Sequence, residues 1–117
     1  MPFRTKRVYD APAPDDGARI LVDRLWPRGL TKEAAALDEW EKALAPSDEL
    51  RKWFHAHLEE WTVFERRYAH EMEAPQARAA MQALRARAAK GVVTLLYASK
   101  QTDRNNATAL AQMLERG

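Results

Sequence analysis

Residues 92–97 read Val-Val-Thr-Leu-Leu-Tyr, and this run decides the fold. It is β-branched or aromatic at most positions, too short for a helix and without helical periodicity, which makes it a buried strand. Upstream of it a helical stretch runs from about Gln76 to Lys90 and is expected to stop at Gly91, acting as a left-handed cap. Downstream a last helix is expected to begin near Asp103, with Ala107, Leu110, Ala111 and Leu114 as its buried stripe.

Further upstream, Ile20-Leu21-Val22 reads as a second buried strand, and Phe3 to Tyr9 as a weaker third. The Pro- and Asp-rich loop from Asp10 to Gly17 separates them and fits either a long hairpin or an out-and-back connection. Between the Ile20 and Val92 strands the chain reads as helix throughout. Asp38 with Glu41 and Thr62 with Glu65 have capping-box spacing, and Ser47, followed by Asp48 and Glu49, is a further N-cap. Apolar sets fall on helical faces: Leu37, Trp40, Leu44; Leu50, Trp53, Phe54, Leu58, Trp61; Phe64, Tyr68, Met72. A long helical crossover between apolar strands makes them parallel, with helices covering the sheet. The expected fold class is therefore α/β. It is a small, mostly parallel sheet of about three strands covered by helices, with a multi-helix crossover between the second and third, in one domain spanning 1–117.

Composition narrows the chemistry. The chain has 117 residues, four Trp and no Cys, which excludes disulfides, thiolate nucleophiles, cysteine zinc sites and iron-sulfur clusters. Lys+Arg number 19 against 17 Asp+Glu, a net +2 that argues against a dominant polyanion-binding surface. No apolar run approaches the roughly 20 residues that span a bilayer, and the start MPFRTKRVYD lacks a signal peptide's apolar stretch. The expectation is a soluble cytoplasmic protein without a membrane partner or cofactor.

Chemistry gathers at two places. Asp23, Arg24, Trp26, Arg28 and Lys32 follow the Ile20 strand directly, while Tyr97, Ser99, Lys100, Asn105 and Asn106 lie between the end of the Val92 strand and the start of the last helix. If the strands are parallel, both clusters share one carboxyl edge, where open α/β folds form their ligand crevice. The contents suit a small anion: Arg24 and Arg28 offer forked donors, Lys32 or Lys100 a point charge, and the last helix its first amides. Asp23 is the candidate acid-base group, and Trp26 and Tyr97 could supply flat walls. The structural alternative is an Asp23–Arg24 ion pair, or a network with Arg28 that ties down the Trp-Pro-Arg-Gly turn.

Other candidates are weaker. His55 with Glu59, or His57 with Glu60, has metal spacing but no third ligand nearby, so solvated helix residues and no metal site are expected. Ser99 lacks the nucleophile elbow of serine hydrolases, and no phosphate-binding glycine loop occurs. The aromatic residues at 40, 53, 54, 61 and 64 are expected in the core, with Trp53 or Trp61 able to border the crevice.

Over nearly its whole length, from Arg7 to about Leu114, the sequence resembles the YeaO-like branch of the domain of unknown function 488. The likeness rests on Asp16-Gly17 ahead of ARILVDRLWPRGLTK, then Trp40, APSDELRKWF, Phe64, Tyr68 and Glu71, and finally VTLLYASK with Asn105-Asn106-Ala107. It implies a small bacterial cytoplasmic α/β protein with no established reaction; some members carry a MarR-type regulator label. Two departures matter. The branch usually reads Asn-His-Ala where this chain has Asn105-Asn106-Ala107, so a role for that imidazole does not carry over. Other branches place a Cys-His-Arg triplet there and a further Cys where Tyr97 stands, so thiolate chemistry does not carry over either.

Binding of a small anionic, phosphate- or carboxylate-bearing molecule is thus the leading expectation, with catalysis left open. The alternatives are a MarR-type nucleic-acid-binding regulator or a non-catalytic partner-binding protein. Nucleic acid is disfavoured, because Leu50 to Met72 lacks a short Gly-containing turn and carries Glu59, Glu60 and Glu65. A homo-oligomer is compatible with everything above.

Overall fold

A computed structural model describes residues 3–116. Strands β1 (Phe3–Arg7), β2 (Ala18–Leu21), β3 (Glu39–Trp40) and β4 (Val93–Tyr97) form one sheet in the order β1-β4-β2-β3, parallel at every pairing. The apolar run that decides the fold is thus its centre: Thr94 lies between Arg4 and Arg19, and Leu96 between Lys6 and Leu21. Every residue of β4 is buried, as a strand covered on both faces requires. Because β1 and β2 both flank β4, the loop between them is an out-and-back connection, not a hairpin.

The period of two sorts the side chains onto two faces. Ile20, Val22, Val93, Leu95 and Tyr97 join the main core beneath α2 (Asp48–Ala56), α3 (Trp61–Glu71), α4 (Pro75–Ala88) and α5 (Asn106–Arg116). Leu21 and Leu96 point the other way, packing with Val8 and with Ala35 of the short helix α1 (Lys32–Ala35) beneath Trp26, Leu30, Leu37 and Trp40. Of the aromatics expected inside, Phe54 and Phe64 stack at 4.2 Å in the main core, with Trp53 and Trp61 partly buried beside it. Trp40 serves the opposite face, its ring 5.4 Å from Trp26.

Four local expectations change. The sheet has four strands, because Asp38 does not cap a helix: its amide donates to Arg19 O at 2.9 Å and its carboxylate accepts from Arg19 N at 2.8 Å, which starts β3 alongside β2. Leu37 and Trp40 therefore face one layer and Leu44 the other, so their helical spacing reflects a chain rounding the sheet edge. Thr62 lies inside α3, which begins at Trp61. Helix α4 ends at Ala88 without a left-handed glycine at Gly91, and α5 begins at Asn106. Ser47 does cap α2: its hydroxyl accepts from Leu50 N at 3.1 Å and donates to Glu71 at 2.6 Å, which also fastens α2 to α3.

At the amino end of the sheet, Asp16 and Arg19 are both buried and paired at 2.6 Å. Arg19 also donates to Ala36 O at 3.0 Å and Ala35 O at 2.7 Å, and Lys6 reaches Asp16 at 3.1 Å. The neighbouring Gly17 has φ +64°, and a Cβ there would lie 2.2 Å from Val92 O, so only glycine fits. Burial alone would raise the Asp16 pKa, but the Ala13 amide, Lys6 and Arg19 together hold it below its ordinary 3.8. A lowered folded-state pKa means that this stabilisation is present above pH 3.8 and is lost as pH falls through the lowered value. We predict that Arg19→Met costs about 3–5 kcal/mol by urea denaturation at pH 7, and that Asp16→Asn flattens the decline in stability below pH 4.

Candidate functional site

Parallel pairing sends the ends of β2 and β4 out of the same edge, and Asp23 joins them. One carboxylate oxygen accepts from Ala98 N, just beyond β4, at 2.9 Å; the other accepts from Asn106 Nδ2, at the start of α5, at 3.0 Å. The same Asn106 amide donates to Val22 O at 3.0 Å, and Trp40 Nε1 donates to Asp23 O at 2.7 Å. Burial raises the Asp23 pKa, against the opposing pull of the Asn106 and Ala98 hydrogen bonds and the charge of Arg51. The group is a clasp between three elements, and both its oxygens are engaged.

Two connected chambers open over this clasp. The first, about 400 Å³, is lined by Phe54, Leu58, Phe64, Lys100, Gln101, Arg104 and Asn105. The second, about 330 Å³, is lined by Tyr9, Asp23, Arg24, Leu25, Trp26, Pro27 and Arg28. Pro46, Arg51, His55, Ala98, Ser99 and Asn106 line both, so the chambers form a single crevice with Arg51 and His55 at its waist. Arg24, Arg28, Arg51, Arg104, Lys100 and His55 face it against one carboxylate, Asp23.

Of the ten residues expected at the site, eight line this crevice: Asp23, Arg24, Trp26, Arg28, Ser99, Lys100, Asn105 and Asn106. Lys32 and Tyr97 line neither chamber. Lys32 opens α1, whose last turn lies over Arg19, while Tyr97 is buried in the core. Burial, with Asp10 next in weight, raises the Tyr97 pKa. The Asp23–Arg24 ion pair does not form among the described residues: Arg24 Nε donates to Pro46 O at 3.3 Å. Trp26 secures its turn through Nε1 to Leu30 O at 2.6 Å, and Tyr9 donates to Arg28 O at 2.8 Å. Asn105 is buried and caps α5, its Oδ1 accepting from Thr108 N at 2.9 Å while Thr108 Oγ1 accepts from Asn105 N at 3.1 Å. Neither of those two amides is left for a ligand. Arg7 holds the floor by donating to Ser99 O at 3.0 Å and Ala98 O at 3.1 Å.

Sequence reasoning missed Arg51 and treated His55 as an ordinary solvated helix residue. The signal was present in one stripe of α2, where Arg51, Phe54 and His55 follow at helical spacings, but nothing local says that this stripe overhangs the carboxyl edge. Arg51 Nε is buried without a hydrogen-bond partner, and such a donor is costly to leave unpaired.

Fold and crevice together define a small all-parallel α/β domain with an arginine-rich, thiol-free cleft at the carboxyl edge of its sheet. The chain belongs to the family DUF488-N3i, described as the inactive DUF488-N3 subclade, whose model matches residues 2–117. It is 45% identical to the uncharacterized protein YeaO of Escherichia coli over 97% of both chains. It is also 41% identical to uncharacterized proteins of Mycobacterium bovis and Mycobacterium tuberculosis, over 95% of this chain and 92% of theirs. No solved structure matches it. No helix among the described residues is long and apolar enough to cross a membrane.

Asn106→Ala strands two acceptors, Val22 O and one Asp23 oxygen, and is expected to cost about 1–3 kcal/mol in urea denaturation at pH 7. Losing the Asn106 donor raises the Asp23 pKa further. The cost is therefore full above that pKa and shrinks as pH falls through it.

Proposed function

We propose that this protein binds a small phosphate- or carboxylate-bearing molecule in the carboxyl-edge crevice, as a binding domain and not a catalyst. The observation that carries the reading is charge asymmetry. A chain with a net charge of only +2 presents four arginines, a lysine and a histidine to one cleft that holds a single carboxylate. One carboxylate, with both oxygens already hydrogen-bonded, faces those cations, so the field in the cleft is positive.

Arg24 and Arg51 are the central donors. Arg24 spends only Nε on a protein partner, and Arg51 has its Nε unpaired and its terminal nitrogen on exposed Asp48 at 3.3 Å. Planar guanidinium forks match carboxylate and phosphate oxygens. Arg28 and Lys100 add exposed charge at the two mouths, and Ser99 and Asn106 add polar lining. Two things favour binding over turnover: Asp23 has both oxygens engaged, and the family's own description is inactive. Nothing favours a nucleic-acid reading, since exposed Glu59 and Glu60 occupy the turn between α2 and α3.

Thermal melts with inorganic phosphate, sugar phosphates and small carboxylic acids test the proposal. A ligand at about a hundred times its Kd adds about 2.7 kcal/mol to the unfolding free energy, a shift of several degrees. Arg24→Met and Arg51→Met should each abolish the shift while leaving a cooperative transition. An unresponsive wild-type protein across the whole panel would count against it.

A further inference from the structure

The charged lining is only half of the crevice. Four large apolar side chains stand exposed among the described residues, Tyr9, Leu25, Leu58 and Val92, and three of them line its two chambers. Exposed apolar residues scattered singly need no explanation, but their concentration around one cleft marks a surface that something covers. The first chamber adds the stacked pair Phe54 and Phe64, buried core residues that form its floor. With Leu58 they make an apolar wall beside the Arg51 waist, in a space of about 400 Å³ that far exceeds one phosphate or carboxylate group. A bare inorganic anion would contact Arg24 and Arg51 and leave this wall wet.

Resting on the anion reading above, we propose that the ligand is amphipathic. Its anionic head lies between Arg24 and Arg51, and an apolar body about the size of one aromatic ring seats against Phe54, Leu58 and Phe64. The two chambers share Arg51, His55 and Asn106 along their common wall, so one molecule spans both without a barrier. Ligand pockets commonly combine this kind of apolar wall with a few polar groups that fix orientation. The placement also gives α2 its second duty: Arg51 and Phe54 bring charge and hydrophobe from the helix itself, and the turn that follows its His57 cap adds Leu58.

Isothermal titration calorimetry with inorganic phosphate, glycerol phosphate and phenyl phosphate separates the two layers of the proposal. The three probes carry the same anionic head on no body, a polar body and an apolar body. Phenyl phosphate is expected to bind at least about tenfold tighter than the other two, since burying a ring face contributes on that scale. Leu58→Ser, at an exposed position just beyond α2, should erase most of that preference and leave inorganic phosphate affinity unchanged; Arg51→Met should weaken all three. Equal affinity for the three probes would overturn the amphipathic ligand and leave the anion reading standing. A preference for phenyl phosphate that survives Leu58→Ser would overturn the seat assigned to the apolar body. If none of the three binds, this inference fails, and the anion reading fails with it when the small carboxylic acids of the melting panel are also without effect.

Discussion

The last strand to be made is the one on which everything else depends. β4 pairs in parallel with β1 on one side and β2 on the other, so residues 3–7 and 18–21 form a sheet only when residues 93–97, far along the chain from both, are inserted between them. Such long-range parallel pairing carries a loop-closure cost that only burial on both faces repays, which explains why β4 contains no exposed residue. Parallel insertion also brings Asp23 and Ala98 to the same edge, where one carboxylate bonds both to the amide beyond β4 and to Asn106 of α5. The crevice exists because those three chain segments are clasped there.

Much of this was legible because it depends on local pattern. The β2 and β4 runs are apolar on both faces, and their residues alternate between the two cores as a strand's must. Ser47 announced the start of α2, since capping is chemistry within four residues. β3 was illegible because its two residues are held by long-range contacts, of Asp38 with the backbone of Arg19 and of Glu41 N with Leu21 O, about twenty positions earlier. The same limit divides the site. Clusters that follow β2 and β4 directly could be placed together by strand logic, whereas Arg51 and His55 reach the crevice only because Glu71 and Arg24 fasten the Pro46–Ser47 entrance of α2 over the edge. Lys32 dropped out for the converse reason: Thr31 caps a short helix that turns away to cover the other face.

The missing thiol acquires a structural meaning. The entry to α5 is filled by two asparagines with assigned duties in a chain that has no cysteine. Asn105 caps the helix with Thr108, and Asn106 serves two acceptors with one amide. A neutral imidazole at position 106 has one N–H and could serve only one of the two acceptors, and the two N–H groups of its protonated form diverge from opposite sides of the ring. Asparagine at this point makes the entry to α5 a stabilising junction between β2, β4 and the helix.

The most direct test of that account is residue-level mapping of where an anion sits. Titrating inorganic phosphate into uniformly ¹⁵N-labelled protein should move the backbone amide resonances of Arg24, Arg51, Ala98, Ser99 and Asn106 together, with one common binding constant. Shifts concentrated instead at Arg78, Arg85 and Arg116, which border a second basic hollow, or shifts nowhere, would contradict it.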